Sequence, residues 1–395
     1  MVLLNVNATA KRVIGLGLAA LLIVGIVLII FAGRIFPSGA GGDPVGQGST
    51  GQPVTVTGVI GSEKKAFFDD PQVKAIFAEK GLDVQVTTAG SRQIATSVDL
   101  SGVDFVFPSS APAAEKIKRE KNVSTTFSPF YSPMAIATFK PIVQLLSAAG
   151  MASQDSAGTW HLNLAAYLKA VASGTRWNQL PGADTLYNST RSLLVSSTDV
   201  RQSNSAAMYL AMSSYVANND SIVSTPAAQA AVIDQMAALF LEQGFSASSS
   251  EAPFDDYLSQ GIGSKPMVMV YEAQYLGRQM STTGSNAITA DMVMMYPDPT
   301  VLSKHTVVPL TANGTTVGQL LQDDPRLAKL AAEYGFRPAD PLVFATALTE
   351  HGIAVPPNPV NVVEPPSYET LESMIAEISS RYDSPTPTPD ANVDK

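Results

Sequence analysis

The chain has 395 residues, 45% of them hydrophobic, which is enough for a sizeable core divided between two lobes. A formal net charge of −9 with no clustered basic face excludes nucleic acid as a partner, since phosphate binding needs grouped Lys and Arg. Cysteine is absent, which excludes disulfides, thiolate metal sites, a cysteine nucleophile and lipid attachment through an N-terminal cysteine.

The first element is Val13–Gly33, an apolar run without charge that as a helix spans roughly 31 Å, the thickness of a bilayer's hydrocarbon core. Lys11 and Arg12 precede it, so the positive-inside bias places residues 1–12 in the cytoplasm and the bulk of the chain outside. A cleaved signal peptide, with Ser38-Gly39-Ala40 at the cleavage site, is the competing reading. It fits less well, because a signal's apolar stretch is about 7–15 residues long. Residues 34–52 read as a flexible Gly/Pro/Ser/Gln tether and 383–395 as a disordered Pro-Thr tail.

Between them the pattern alternates short β-rich runs with helical stretches, the signature of an α/β fold. Val54–Ile60 is a strand; Asp70 then reads as the N-cap of a helix with Pro71 in its first turn and Gly81 beyond its end. Leu82–Thr88 is the second strand, Gly90–Asp99 a short helix, Val103–Phe107 a third strand and "APAAEKIKRE" a helix. From Pro129 a β-like run between prolines is suited to carry the chain into a second lobe. That lobe is expected to hold helices over Leu162–Ser173, Ser205–Val216 and Ala227–Glu242, and strands over Ser192–Ser196 and Pro266–Tyr271. Met292–Thr300 reads as the return crossover, followed by helices in "TTVGQLLQDDPRLAKLAAEYGF" and "SYETLESMIAEISSRY". The spacing thus predicts lobe I from 53–139 and 291–382 and lobe II from 140–290, hinged near Tyr131–Lys140 and Met292–Thr300.

Small hydroxyl residues recur where strands give way to helices: Ser62, Ser91, Ser109 and Ser110 in lobe I, and Ser203, Asn204 and Ser205 in lobe II. A helix N-terminus carries unpaired N–H groups and a partial positive charge, so it can hold an oxygen-rich ligand without a basic side chain. A small residue lets the ligand approach, and a hydroxyl adds a donor. The same residue types are ordinary N-caps, stabilising a helix by about 1 kcal/mol with no ligand at all. Tyr271 and Glu272, at the end of an apolar strand, complete the candidate ligand-binding set. Asp199 and Glu272 would oppose an anion if they face inward, which leaves an organic or cationic ligand open beside an oxyanion.

Catalytic readings find no support. His161, His305 and His351 have no metal-binding spacing, there is no G-x-S-x-G elbow or Walker loop, and the paired acids fall at turns and helix starts. The expectation is a protein without chemistry, cofactor or metal.

The β-α-β-α-β opening, with a Gly-Ser turn after its second strand and then "VDFVFPSSAPAAEKI", resembles the type II periplasmic solute-binding proteins, particularly their molybdate-, sulfate- and phosphate-binding branch. "SSTDVRQSNSAAMYLAMSSYVA" (Ser196–Ala217), "GSKPMVMVYEAQYL" (Gly263–Leu276) and "MMYPDPTVLSKHTVVPL" resemble the second-lobe segments and the return. Their order, more than any single motif, carries the likeness over nearly all of Pro53–Tyr382. The resemblance reaches surface proteins that add a von Willebrand factor A domain, but no D-x-S-x-S motif is present here. It implies two α/β lobes of periplasmic-binding-protein type II architecture with an interlobe cleft for a small-molecule or oxyanion ligand, on a cell surface, serving transport or sensing with a membrane transporter or surface protein as partner. The alternative is a surface interaction protein that uses the same fold to bind another protein, for which a closed, apolar-filled cleft would speak.

Overall fold

The computed structural model describes residues 52–244, 246–281 and 288–382. The expected anchor, 13–33, and tail, 383–395, lie outside these residues. No described helix is long and apolar enough to cross a membrane. All described residues belong to the second of the chain's two units, Gln52–Lys395.

Strand β1 (Val54–Ile60) pairs in parallel with β2 (Leu82–Thr88) on one side and β3 (Phe105–Phe107) on the other. Ile60 lies opposite both Thr88 and Phe107, so the three strands end at one level and the residues that follow share one edge. Helical crossovers cover both faces of such a sheet, and successive side chains alternate between them. Val56, Ile60, Phe105 and Phe107 join one core with Phe67, Phe68 and Phe77, whereas Val59 and Val106 pack with Ile94, Ala113 and Ile117 in another.

The connections follow their turn chemistry. After β1 come a 3-10 turn (Ser62–Lys64), α1 (Lys65–Asp69) and α2 (Pro71–Ala78). Asp70 caps α2, accepting from the backbone N–H of Gln72 at 2.6 Å and of Val73 at 3.4 Å, and Gly81 at φ +71° turns the chain into β2. Helix α3 (Ser91–Thr96) follows β2 and α4 (Ala111–Glu120) follows β3.

The crossover out of this half is the long strand β4 (Phe127–Phe139). Its first part, Phe127–Pro133, pairs antiparallel with β9 (Leu302–Pro309), which also pairs β3. From Met134 onward its partners are β7 (Met267–Tyr271) and β8 (Met292–Asp298). Beyond β8 lie β6 (Trp160–Asn163) and β5 (Ala152–Gln154), giving the order β2-β1-β3-β9-β4-β8-β6-β5, with β7 and a short β10 (Arg337–Pro338) also paired to β4. The result is one mixed sheet that runs through both halves.

After β4 come α5 (Lys140–Ala148), α6 (Leu164–Ala172) and a short α7 (Ala183–Leu186). The second half is built around α8 (Asn204–Ala217), whose residues from Asn204 to Ser214 are all buried. A helix covered on every side belongs inside a core. Helix α9 (Pro226–Leu241) and α6 pack on it, the latter through Tyr167, whose hydroxyl meets Tyr209's at 3.1 Å.

Several sequence expectations change. Leu162–Ser173 is not helical throughout: β6 extends to Asn163, which then caps α6 by accepting from Ala166 N–H at 3.0 Å. Ser192–Ser196 is no strand, since it makes only single bridges, Arg176 to Ser192 and Ser196 to Val268, with no neighbour alongside to build a ladder. Helices α10 (Glu251–Gln260) and α11 (Glu272–Met280) arise where no helix was read. The helical run after the return divides at Asp324-Pro325 into α12 (Ala312–Asp323) and α13 (Pro325–Glu333), and α14 (Pro341–Glu350) follows β10. The last helix, α15 (Tyr368–Tyr382), touches both halves. Leu371, Met374, Ile375 and Ile378 enter the second core, while Glu372 pairs with Arg92 at 2.7 Å and Glu369 with Arg119 at 2.5 Å in the first.

Candidate functional site

The aligned ends of β1, β2 and β3 bring Gly61 to Glu63, Thr88 to Ser91 and Ser109 to one edge. Facing them are the start of α8, the Ser248–Ser250 run that leads into α10, and Tyr271 at the end of β7. All of these but Ser109 line a cavity of about 160 Å³ whose lining is largely polar. Of the candidate residues, Ser62, Ser91, Ser203, Asn204 and Tyr271 line it.

The two sides touch. Ser62 Oγ lies 2.9 Å from Ser249 Oγ. Asn204 Nδ2 donates across the gap to the Ser109 carbonyl at 2.8 Å and, on its own side, to Tyr271 Oη at 3.0 Å. Gly90 permits close approach of the backbones: a Cβ there would sit 2.2 Å from the Gln202 carbonyl oxygen. Ser91 Oγ accepts from Ser109 N–H at 2.8 Å, which ties the second and third junctions of lobe I together.

Ser109, Ser110, Ser205 and Glu272 do not line the cavity. Ser109 is buried, and its hydroxyl is given to Glu63 while accepting from Lys64 Nζ at 2.7 Å. Ser110 is the N-cap of α4, accepting from Ala113 N–H at 3.3 Å. Ser205 bonds to Thr198 Oγ1 at 2.8 Å and Ser203 Oγ at 3.0 Å inside the second core. Glu272 is fully buried and belongs to a different assembly: Arg337 grips it through Nε at 2.6 Å and Nη2 at 2.8 Å, and Tyr296 donates to it as well. Arg92, on α3, is held by Glu372 and the Arg201 carbonyl.

Behind the lobe I wall sits a charged group that sequence reasoning missed. Lys64 is fully buried; its Nζ pairs with the Glu63 carboxylate, donates to Ser109 Oγ and lies 3.0 Å from His305 Nδ1. Burial pulls Lys64 below its ordinary value, against the opposing pull of Glu63. Burial and then the neighbouring Lys64 charge hold His305 well below its ordinary range, so the imidazole is neutral. With Nδ1 accepting from the ammonium, Nε2 carries the hydrogen, and it finds no partner where Phe107, Phe130, Tyr271 and Phe336 pack around the ring. Ser109 and Lys64 resemble a nucleophile and base, but neither side chain lines the cavity.

Glu63, Thr88, Gln93 and Ser248–Ser250 also line the cavity without having been singled out. The Ser248–Ser250 run ahead of an acidic helix start is the same signature that marked the other junctions. An adjoining pocket of about 370 Å³ shares Glu63 and adds Glu251, Asp255 and Arg278. Burial, then the charges of Glu63 and Asp255, push the Glu251 carboxyl up to about 7, with Arg278 opposing. Among the described residues no cluster of three or more His, Asp or Glu side chains is placed to hold a metal ion.

No protein-family model matches the chain, and no curated protein matches it in sequence. Solved structures do match in fold. The apo ferric ion-binding protein A of Pasteurella haemolytica aligns with a TM-score of 0.52 at 12% identity, covering 84% of this chain and 98% of that one. The sulfate-binding protein of Mycobacterium tuberculosis aligns with a TM-score of 0.49 at 17% identity, covering 78% and 93%. The periplasmic molybdate-binding protein of Azotobacter vinelandii gives 0.43 at 12% identity, covering 72% and 100%. At such identities the likeness is one of fold: the described chain is a mixed α/β protein that shares the fold of that ferric ion-binding protein.

Proposed function

We propose that this chain is a membrane-anchored extracytoplasmic solute-binding protein whose two lobes close over a small, oxygen-rich ligand, for transport or sensing. The observation that carries this reading is the cavity at the strand ends, lined from both halves by small hydroxyl and amide side chains. In open α/β sheets that edge is where ligands bind, and a few convergent polar groups in a concavity are what a binding site needs. About 160 Å³ is below the range of drug-sized pockets, so the ligand is small. Strand β4, paired with β9 over its first part and with β8 over its second, and the return from β8 to β9 carry the hinge. Residues 13–33 supply the anchor, in place of the absent lipid-attachment cysteine. The polar lining speaks for a solute and against the alternative of a protein-binding surface, which calls for an apolar filling.

A thermal-shift screen of the full chain in detergent, against oxyanions, amines, amino acids, sugars and metal ions, tests the reading. A saturable rise in melting temperature with one class, lost on Asn204→Ala, is the expected result. A screen in which no compound shifts the transition contradicts it.

A further inference from the structure

The ligand's charge can be argued from Glu63, on the solute-binding reading given above. The Glu63 side chain is only 5% exposed, yet it lines both the 160 Å³ cavity and the adjoining pocket. Its two donors, Lys64 Nζ and Ser109 Oγ, both fall on Oε1, and His305 Nδ1 is 3.5 Å from that same oxygen. Oε2 accepts no hydrogen bond from the described residues. Oε2 is not one of the buried atoms left without a partner, so it opens on the cavity that Glu63 lines, where a donor from solvent or ligand can reach it.

The surrounding charge points the same way. Glu251 and Asp255 line the adjoining pocket, which shares Glu63 with the cavity. The cations nearby are already engaged: Lys64 with Glu63, Ser109 and His305, Arg92 with Glu372, Arg201 with Asp199, and Arg278 with Asp255 at 3.5 Å. No basic side chain lines the 160 Å³ cavity. An anion seated there would face the carboxylate end of the Glu63–Lys64 pair, with the ammonium held on Oε1.

We propose that the cavity takes a small organic cation, an ammonium carrying one or two hydroxyl groups, whose N–H groups are donated to Glu63 Oε2 while the hydroxyls of Ser62, Thr88 and Ser203 meet the rest. The site is thereby selective against oxyanions. Glu63 plays the part that an arginine plays in a charged anion site, with the sign reversed.

The test is calorimetric titration of the full chain in detergent at fixed ionic strength, with ethanolamine, 2-amino-1,3-propanediol, sulfate and glycerol as probes. The wild type should bind the two amines saturably, one per chain, and take up neither sulfate nor glycerol. Glu63→Gln keeps the shape and removes the charge, and should weaken amine binding at least tenfold. Because that variant strands Lys64 and can fail to fold, Glu251→Gln serves as the second variant: it leaves the buried pair intact and should weaken amine binding several-fold. Sulfate or glycerol binding the wild type in preference to the amines overturns the charge assignment and leaves the solute-binding reading standing. Amine binding equal in wild type and Glu251→Gln, and in Glu63→Gln where it folds, overturns it too. Binding of none of the four probes overturns the inference, and the thermal-shift screen then decides the solute-binding reading separately.

Discussion

Ser62 Oγ and Ser249 Oγ meet at 2.9 Å although 187 residues separate them in the chain. One follows the first strand of lobe I and the other precedes α10 in lobe II, so the pair closes the rim of the cavity between the two halves. Since the chain has no cysteine, the double variant Ser62→Cys/Ser249→Cys can form only this cross-link within one chain. Mild oxidation should consume both thiols, shift the band in a non-reducing gel, and abolish ligand uptake until reductant is added. Thiols that stay free under oxidant would show that the two positions do not come together in solution.

Gly90 has φ −62° and ψ 142°, a conformation any residue adopts, so its role is closeness rather than backbone freedom. Gly90→Ala would drive a Cβ to 2.2 Å from the Gln202 carbonyl, and backbone cannot swing aside as a long side chain can. The lobes should part there, with a loss of about 1–3 kcal/mol of stability in urea denaturation and an unchanged helix content. A variant with wild-type stability and affinity would mean the two segments do not pack this closely.

Lys64 and Glu63 form a buried ion pair, and removing one partner strands the other. Lys64→Met should destabilise by about 3–5 kcal/mol. Adding Glu63→Gln should recover part of that loss, so the double variant is less destabilised than the sum of the singles. Additivity in a chemical-denaturation cycle would rule out the coupling.

Glu251 gives stability a pH dependence. Its carboxyl is raised to about 7 in the folded chain from an ordinary value near 4.5, so the folded state holds the proton more tightly than the unfolded one. The folded chain therefore loses stability as pH rises from about 4.5 through 7, and the penalty is complete above that. The carboxyl is partly desolvated in the pocket while the residue keeps much of its surface in water, so screening holds the effect below the roughly 1.4 kcal/mol per pKa unit of a fully buried group. Glu251→Gln should raise the melting temperature at pH 8 and leave it nearly unchanged at pH 5. Equal melting temperatures at pH 8 would dismiss the shift.

Much of lobe I is legible because its turns announce themselves: Asp70 and Pro71 start a helix, Gly81 ends the loop after it, and three short apolar runs become three parallel strands in register. That register is also why Ser62 and Ser91, read singly as caps, arrive at one cavity. Tyr271 was placed by the same logic, as the end of an apolar strand. Glu272, one residue later, obeyed a partner that local pattern cannot show, since Arg337 lies 65 residues away. Nothing local marks the Glu63–Lys64 step, whose burial depends on His305, 241 residues beyond Lys64, folding against it. Ser192–Ser196 failed for the opposite reason: its residues favour a strand, but no neighbouring strand runs beside it. Helix α8 has no polar face to orient it, and only the surrounding helices fix how it sits.

The claim that two lobes close over a ligand is tested most directly by the distance between them. Spin labels on Lys80→Cys in lobe I and Leu186→Cys in lobe II, both exposed positions in a cysteine-free chain, allow it to be read by double electron–electron resonance. The account predicts a population at longer distance in buffer that collapses to one shorter distance when the compound raising the melting temperature is added, with half the change at its dissociation constant. A single distance that the same compound leaves unmoved would contradict it.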